Sequence, residues 1–381
     1  MKVIVDDLNF FLNTCIKPII NFTTRSSLVP PSIKLVAEKK KLKITCVGND
    51  RKSVIFPNAK VVTQGKCIIP ASSIMGIRSS QKKAVLVLEK GKLFIKGGDK
   101  NRKLILSLDL IDKVPTLNIK ATKKQKNVGN ADLGLINDIL ASLSITPITT
   151  PDYKHTIICF HKEKGQIVVY VNDALRILKF IQKKSELKFK EDLITDFVEL
   201  RHITSLVSSI SATAAFKYTN KYISVIGYDE KSKEEVNILL NHSLPKSDPL
   251  ERVEILTKGL EKEKPIMTIK VVDDFKELLE NVIPLASARK EGYFDIELKK
   301  GKVTVSGSGP STNHKESLKL SKKTFKGGGK VRINANVFSD MLKFLSESSL
   351  IKVTKRSVII INKLEEKAKT IFFLPHQSLE G

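Results

Sequence analysis

Apolar residues recur at helical spacing in three stretches of the chain, each of which predicts an amphipathic helix. The three apolar stripes consist of Leu8, Phe11, Leu12, Cys15 and Ile16, then Leu133, Ile136, Leu140 and Leu143, and then Phe275, Leu278, Leu279 and Val282. Acidic residues stand just before each stripe, at Asp6-Asp7, Asp132 and Asp273-Asp274. Because carboxylates cap helix N-termini and favour the helix dipole there, these acids indicate where the helices begin.

Alternating apolar and polar residues follow each predicted helix and indicate β-hairpins with charged turns. The clearest hairpins cover residues 32–46, 156–170 and 293–305. A second short helix is predicted near residues 70–80, 197–207 and 334–345, and a further hairpin follows, as at 84–97 and 350–362.

These elements form one unit that is repeated three times along the chain, with a period of about 125–140 residues. The predicted fold class is therefore α+β, with three similar βαββ…αββ domains at residues 1–120, 121–250 and 251–381. Polar, lysine-containing stretches at 120–129 and roughly 243–265 are the expected linkers.

The charge of the chain points to a polyanionic partner. The 381 residues include 66 Lys and Arg against 40 Asp and Glu, which leaves a formal charge of +26. Such a field attracts polyanions and raises the rate at which they are encountered, so nucleic acid is the leading partner. The first repeat is the most basic of the three.

Several classes of protein are disfavoured by the sequence. No stretch approaches the roughly 18 continuous apolar residues of a membrane span, and the acidic N-terminus differs from a signal peptide, so we expect a cytoplasmic protein without a membrane partner. The four cysteines lack CxxC spacing and are expected to be free and buried. No metal site or cofactor is predicted.

We assign no catalytic residue. The acid pairs at 6–7 and 273–274 are better explained by capping than by metal binding. The glycine-rich segment 326–330 lacks phosphate-loop spacing, and the six histidines show no paired metal-binding pattern. A nuclease is the least favoured of the possible functions.

Seven segments together resemble one known family, the β sliding clamps of bacterial replicative polymerases. These segments are residues 1–5, 25–33, 67–74, 88–97, 114–118, 172–177 and 370–376. None is specific alone, but their order and spacing extend over nearly the whole chain.

The resemblance implies the DNA clamp fold, with two subunits joined head to tail in a six-domain ring whose helices line the hole and whose sheets lie outside. It implies double-stranded DNA as one partner, and a polymerase and a clamp loader that dock through short peptides. The chain departs from the family in its basic charge, in Ala174 and Leu175 where the family has Gly and His, and in its tail after Pro375. This divergence suits a viral or mobile-element replicon, in which case the protein would act in the host cytoplasm.

Two sets of site residues are expected, the cleft and the DNA contacts Arg25, Tyr153 and Lys154 from positions that match the family, and the other DNA contacts from basic residues on or near predicted helices or in the last repeat. The expected DNA-binding residues are Arg25, Arg78, Lys82, Lys83, Tyr153, Lys154, Arg201, Arg289, Lys290 and Lys343. The expected peptide cleft consists of Arg176, Ile177, Phe372, Leu374 and Pro375. A sliding ring needs only weak, sequence-independent phosphate attraction, which lysine and arginine provide.

The predicted function is a non-enzymatic DNA sliding clamp, a processivity factor that encircles duplex DNA and tethers the replicative polymerase. Two alternatives stay open beside it. One is a clamp-fold protein that binds DNA directly as a monomer or an open assembly, and the other is a clamp-like transcription coactivator.

Overall fold

All three apolar stripes form helices in the computed structural model, which describes residues 1–24, 32–48, 51–78, 83–98, 103–112, 126–143, 156–163, 166–173, 176–182, 187–218, 222–231, 233–241, 249–289, 292–347, 349–364 and 368–378. Every member of the three stripes is buried. Asp7 and Asp132 accept backbone N–H groups of the first helical turn, at 2.8 Å from Phe10 and 2.9 Å from Leu135. The capping prediction is therefore confirmed at these two helices, whereas Asp273 and Asp274 lie inside the first turn of theirs.

The first stripe forms one continuous helical segment, with a π-helical stretch at Phe11–Ile16 between its first and last parts. The α-helices are α1 (Leu8–Phe10), α2 (Lys17–Thr24), α3 (Ala71–Met75), α4 (Leu133–Ser142), α5 (Phe197–Ser208), α6 (Pro249–Lys262), α7 (Asp273–Ser287) and α8 (Ala335–Leu342). None of the helices in the described part of the chain combines the length and the apolar character needed to span a bilayer.

The strands of the first two repeats run from β1 to β18. They are β1 (Lys2–Val5), β2 (Ser32–Glu38), β3 (Lys41–Val47), β4 (Arg51–Phe56), β5 (Lys60–Thr63), β6 (Gly65–Pro70), β7 (Ala84–Glu89), β8 (Lys92–Gly98), β9 (Lys103–Asp109), β10 (Lys126–Asp132), β11 (Ile157–Glu163), β12 (Gln166–Asn172), β13 (Ile177–Gln182), β14 (Lys188–Phe189), β15 (Leu193–Asp196), β16 (Thr213–Tyr218), β17 (Tyr222–Tyr228) and β18 (Glu235–Asn241).

The last repeat contributes the remaining strands. They are β19 (Met267–Lys270), β20 (Tyr293–Lys299), β21 (Lys302–Ser308), β22 (Asn313–Lys319), β23 (Phe325–Gly327), β24 (Gly329–Asn334), β25 (Leu350–Val353), β26 (Ser357–Leu364), β27 (Ala368–Pro375) and β28 (Gln377–Ser378). The predicted hairpins are confirmed as β2–β3, β11–β12, β20–β21, β7–β8 and β25–β26. Two of their turns place a Lys-Gly pair at positive φ, at 90–91 and 300–301, which is the geometry of a type I′ hairpin turn.

The chain divides into two compact units. Unit 1 comprises Met1–Leu140, Glu186–Glu191 and Val198–Leu244, and unit 2 comprises Ala141–Ser185, Asp192–Phe197 and Pro245–Gly381. Unit 1 contains a five-stranded sheet in the order β5-β1-β7-β8-β9 and a nine-stranded sheet in the order β14-β10-β16-β17-β18-β4-β3-β2-β6.

Unit 2 has the same pair of sheet sizes. Its nine-stranded sheet has the order β15-β11-β12-β13-β27-β26-β25-β19-β23, and its five-stranded sheet has the order β22-β21-β20-β24-β28. In both units every described strand pairing is antiparallel.

The order of elements repeats three times along the chain. Each repeat has one strand, a helical segment, five strands, a second helix and three strands, while α6 before the third repeat and β28 at its end are additional elements. The repeat therefore contains more strands than the predicted βαββ…αββ formula. The division into three domains and the boundaries at 120 and 250 stay a prediction.

The linker predictions need correction. Residues 126–129 of the first predicted linker belong to β10, and most of the second forms the fourteen-residue helix α6. The sequence does contain the signal of α6, since Leu250, Val253, Thr257 and Leu260 lie at i, i+3, i+7 and i+10 behind an Asp-Pro helix start. The high content of charged residues in this segment obscured the signal.

Two glycine substitutions test the packing of these helices. A Cβ at Gly227 of β17 would lie 2.5 Å from Val207 Cγ1, so Gly227→Ala should lower the free energy of unfolding by about 1–3 kcal/mol. A Cβ at Gly259 of α6 would have nothing within 4 Å, so Gly259→Ala should raise the stability by up to about 1 kcal/mol. Urea unfolding measures the free energy of unfolding of both variants. Equal changes in this free energy would contradict the close packing of Gly227 against Val207.

Candidate nucleic-acid interface and peptide cleft

Five of the ten expected DNA-binding residues lie within the described part of the chain, and all five are exposed. Arg78, Lys83 and Arg201 belong to unit 1, whereas Arg289 and Lys343 belong to unit 2. Arg201 projects from α5, and the Lys343 ammonium lies 5.1 Å from the centre of the Phe344 ring just after α8. Arg25, Lys82, Tyr153, Lys154 and Lys290 lie outside the described residues.

The α-helices carry little of the positive charge of the chain. Together, α1 to α8 and the π-helical stretch contain six Lys or Arg residues and ten Asp or Glu residues, although the whole chain has a charge of +26. Helix α7 alone holds four acids and one lysine. The excess of cations therefore lies on strands, turns and connecting segments.

The expected cleft residues lie on two neighbouring strands of unit 2. Ile177 opens β13 and pairs with Phe373 of β27, the strand that also contains Phe372, Leu374 and Pro375. Phe372 is fully buried, and its ring lies 5.2 Å from that of Phe344. Ile177 and Leu374 are also buried, so Pro375 alone of these four is exposed.

Arg176 is the largest fully buried side chain of the described residues. Its guanidinium donates to Asp173 through Nε at 3.0 Å and Nη2 at 2.8 Å, and to Asp340 of α8 through Nη1 at 2.8 Å. Asp173 also accepts the backbone N–H of Arg176. Arg176 therefore links the start of β13 to α8. Its positive charge is compensated by the carboxylates of Asp173 and Asp340 within the protein.

Helix α6 covers the sheet on which the cleft was expected. Its inner residues Leu250, Val253 and Leu260 join one apolar cluster with side chains of β11, β12, β13, β26 and β27. The sheet members of this cluster are Cys159, Val168, Tyr170, Ile177, Ile359, Ile371 and Phe373.

Polar contacts near the middle and at the C-terminal end of α6 also hold it on the sheet. Lys179 Nζ of β13 lies 2.9 Å from Glu261 Oε1, and His161 Nε2 of β11 lies 3.5 Å from Glu254 Oε1. Arg356 pairs with Glu263 just beyond the helix. A partner peptide could reach Ile177 only if α6 moved away from this face.

The acid pairs do not form a metal centre in the described part of the chain, where no group of three or more possible ligands occurs. Cys15, Cys46, Cys67 and Cys159 are buried thiols, as expected. Burial raises the pKa of the Cys46 and Cys67 thiols to about 11, so these thiols are inert at neutral pH.

No protein-family model and no curated protein sequence matches the chain. Solved structures do match it over its full length. A DNA polymerase sliding clamp from Caulobacter crescentus has a TM-score of 0.74 at 12% identity, with 100% of each chain covered.

Two further crystal structures agree with this match. The beta subunit from the DNA polymerase of Streptococcus pyogenes has a TM-score of 0.72 at 12% identity and covers 99% of this chain and 100% of its own. The DNA polymerase III beta subunit from Thermotoga maritima has a TM-score of 0.72 at 13% identity, with 99% of each chain covered.

The chain has the DNA clamp fold. The predicted fold class is thereby confirmed, and the low identity agrees with the predicted divergence from the bacterial clamps. Within this clamp fold, the sequence did not predict the α6 cover or the basic character of the strands.

Cys159, which is buried beneath α6, can report whether the helix leaves the sheet. Replacing Val253 and Leu260 with Asp should expose the apolar cluster and increase alkylation of Cys159 by iodoacetamide at least tenfold, because buried charges disfavour docking. Peptide mass spectrometry locates and quantifies the modified thiol.

The matched control replaces Ile255 and Leu256, which are 66% and 48% exposed on the outer side of α6, with Asp. This control should leave Cys159 as protected as in the unsubstituted protein. Equal alkylation of Cys159 in both double variants would contradict the inward orientation of Val253 and Leu260.

Arg176→Ala should destabilise unit 2 by about 3–5 kcal/mol, because Asp173 would stay buried without its cation. Lys258→Ala removes an exposed pair with Glu254 and should cost at most about 1 kcal/mol. Equilibrium unfolding in urea compares the two variants. A cost for Arg176→Ala as small as that for Lys258→Ala would contradict the structural role of the buried network.

Proposed function

We propose that the protein is a DNA sliding clamp, a non-enzymatic processivity factor that encircles duplex DNA and tethers the replicative polymerase. The observation that carries this proposal is the match of the whole chain to bacterial DNA polymerase beta subunits. The charge of +26 supports a partner with many phosphates.

The DNA contacts of the proposed ring are the ten residues expected from the sequence, of which Arg78, Lys83, Arg201, Arg289 and Lys343 are exposed as such contacts require. The polymerase and the clamp loader would dock by short peptides near Ile177 and Pro375. Because α6 covers Ile177, docking there requires that α6 be displaced. The proposed place of action is the cytoplasm, or the host cytoplasm for a viral protein.

Ring closure needs complementary surfaces at the two ends of each subunit, and two sheet edges are suited to it. Among the described strands at sheet edges, β9 of unit 1 and β22 of unit 2 are the longest, with seven residues each. Long unpaired edges readily accept another strand. We propose that β9 of one subunit pairs with β22 of the second, so that two such junctions close a dimer.

The alternative of direct DNA binding, as a monomer or an open assembly, is favoured by one observation. The described helices have more acids than bases, whereas a ring lined by helices would attract DNA best with basic helices. The two accounts differ in oligomeric state.

Light scattering at moderate salt measures that state. The proposed ring should have twice the 42.5 kDa mass of one subunit. Ile105 of β9 is 65% exposed, so Ile105→Glu should disrupt pairing along this edge and give monomers, with little cost to the fold of the subunit.

Val62→Glu is the matched control, because Val62 is 50% exposed on β5 at the opposite edge of the same sheet. This control should stay dimeric. A monomeric unsubstituted protein, or equal loss of dimer in both variants, would overturn the proposed closure and favour direct binding.

A further inference from the structure

Four adjacent strands of unit 1 bury one side in the core, and their other side carries lysines among partly exposed apolar residues such as Val36, Val54 and Ile68. On strands β6, β2, β3 and β4 the inward residues, such as Leu35, Ile44 and Ile55, are buried. The outward residues include five lysines and one acid, Glu38. We call these five lysines the lysine face: Lys34, Lys41, Lys43, Lys52 and Lys66.

Strand register places these lysines in a regular array. Val36 pairs with Lys66 on one side and with Lys43 on the other, so the three residues form a row across β6, β2 and β3. Lys34 lies on β2 one row further along. From standard strand spacings, Lys34 is about 8 Å from both Lys43 and Lys66, and those two are about 10 Å apart.

Phe56 of β4 holds two of the lysines together. The Lys41 ammonium lies 5.7 Å and the Lys43 ammonium 6.0 Å from the centre of its ring. Cation–π attraction therefore keeps two positive charges side by side despite their mutual repulsion.

The charges of the lysine face are not neutralised within the described part of the chain. None of its five ammonium groups lies within 4.0 Å of a described carboxylate. The exposed lysines of β8 differ, because Lys92 pairs with Asp109 at 3.1 Å and Lys96 with Glu89 at 3.0 Å.

We propose that the lysine face is a binding site for the phosphate backbone of double-stranded DNA. Duplex DNA presents one charge about every 1.7 Å of its axis, so cations spaced at about 8–10 Å each meet phosphates without a required sequence. The surface is a sheet without a stacking platform, because ammonium groups already cover the Phe56 ring, and this disfavours single strands. The site requires no ring and lies on the side of the sheet away from its buried face.

The test measures affinity for a linear 30-base-pair duplex by fluorescence anisotropy between 50 and 200 mM NaCl. The Lys41→Gln/Lys43→Gln/Lys66→Gln variant should bind about tenfold or more weakly. The slope of log affinity against log salt should fall by about two to three, because each lost phosphate contact contributes about 0.9.

The matched control, Lys92→Gln/Lys96→Gln/Lys258→Gln, removes the same charge from lysines that are paired with acids. It should keep both the affinity and the slope of the unsubstituted protein within a factor of two. Equal losses in the two variants, or no loss in the first, would overturn the proposal.

Chemical acetylation of the unsubstituted protein gives a second measurement that does not depend on a variant. The duplex should protect Lys41, Lys43 and Lys66 more than Lys92, Lys96 and Lys258, as read by mass spectrometry. The contrary outcome is that a polyglutamate peptide or single-stranded DNA, and not the duplex, protects the same lysines from acetylation. That result would assign the lysine face to another class of partner and overturn the proposal. Because the DNA is linear and short, these results do not depend on ring closure.

Discussion

Each unit of the protein depends on strand pairing between segments that are far apart in the sequence. In unit 1, β4 pairs with β18, and in unit 2, β13 pairs with β27, so that each nine-stranded sheet combines strands of successive repeats. Without these two pairings the sheets would end at exposed edges, which invite pairing with other chains.

A buried arginine accompanies each of these pairings. Arg51 lies at the start of β4. Its Nη2 is 2.6 Å from Oε1 of Glu199 on α5, and its Nη1 donates to the Phe22 carbonyl oxygen. Arg176, just before β13, binds Asp173 and Asp340 of α8. In both units the arginine ties the joining strand to a helix of another repeat, and burial of such charges is tolerated because each has carboxylate partners.

The helices and the strands differ in the properties that function requires. The helices supply apolar stripes to the core but more acids than bases, whereas strands β2, β3, β4 and β6 carry the five lysines of the lysine face, which have no ion-pair partner among the described residues. For the clamp that we propose, this distribution would separate two tasks. Subunit shape and ring closure would depend on the sheet framework, and long-range attraction for DNA would depend on cations that lie largely outside the described helices.

The sequence by itself determined the local elements, because their signals repeat within a few residues. The stripe that begins at Leu8, the Asp7 cap and the Lys-Gly turn at 90–91 follow from side-chain period and backbone preference. The threefold repeat of these elements predicted three similar α+β domains, and the resemblance of seven segments to the β sliding clamps implied the clamp fold.

Only the tertiary structure decided which strands pair across repeats, that α6 covers Ile177, and that five lysines share one side of a sheet. Arg176 shows the difference clearly, since its position predicted a docking residue while the fold encloses it between two carboxylates. The physical reason is that strand pairing, burial and charge clustering depend on contacts between residues distant in sequence. The local periodicity of a segment does not determine which distant segment it contacts.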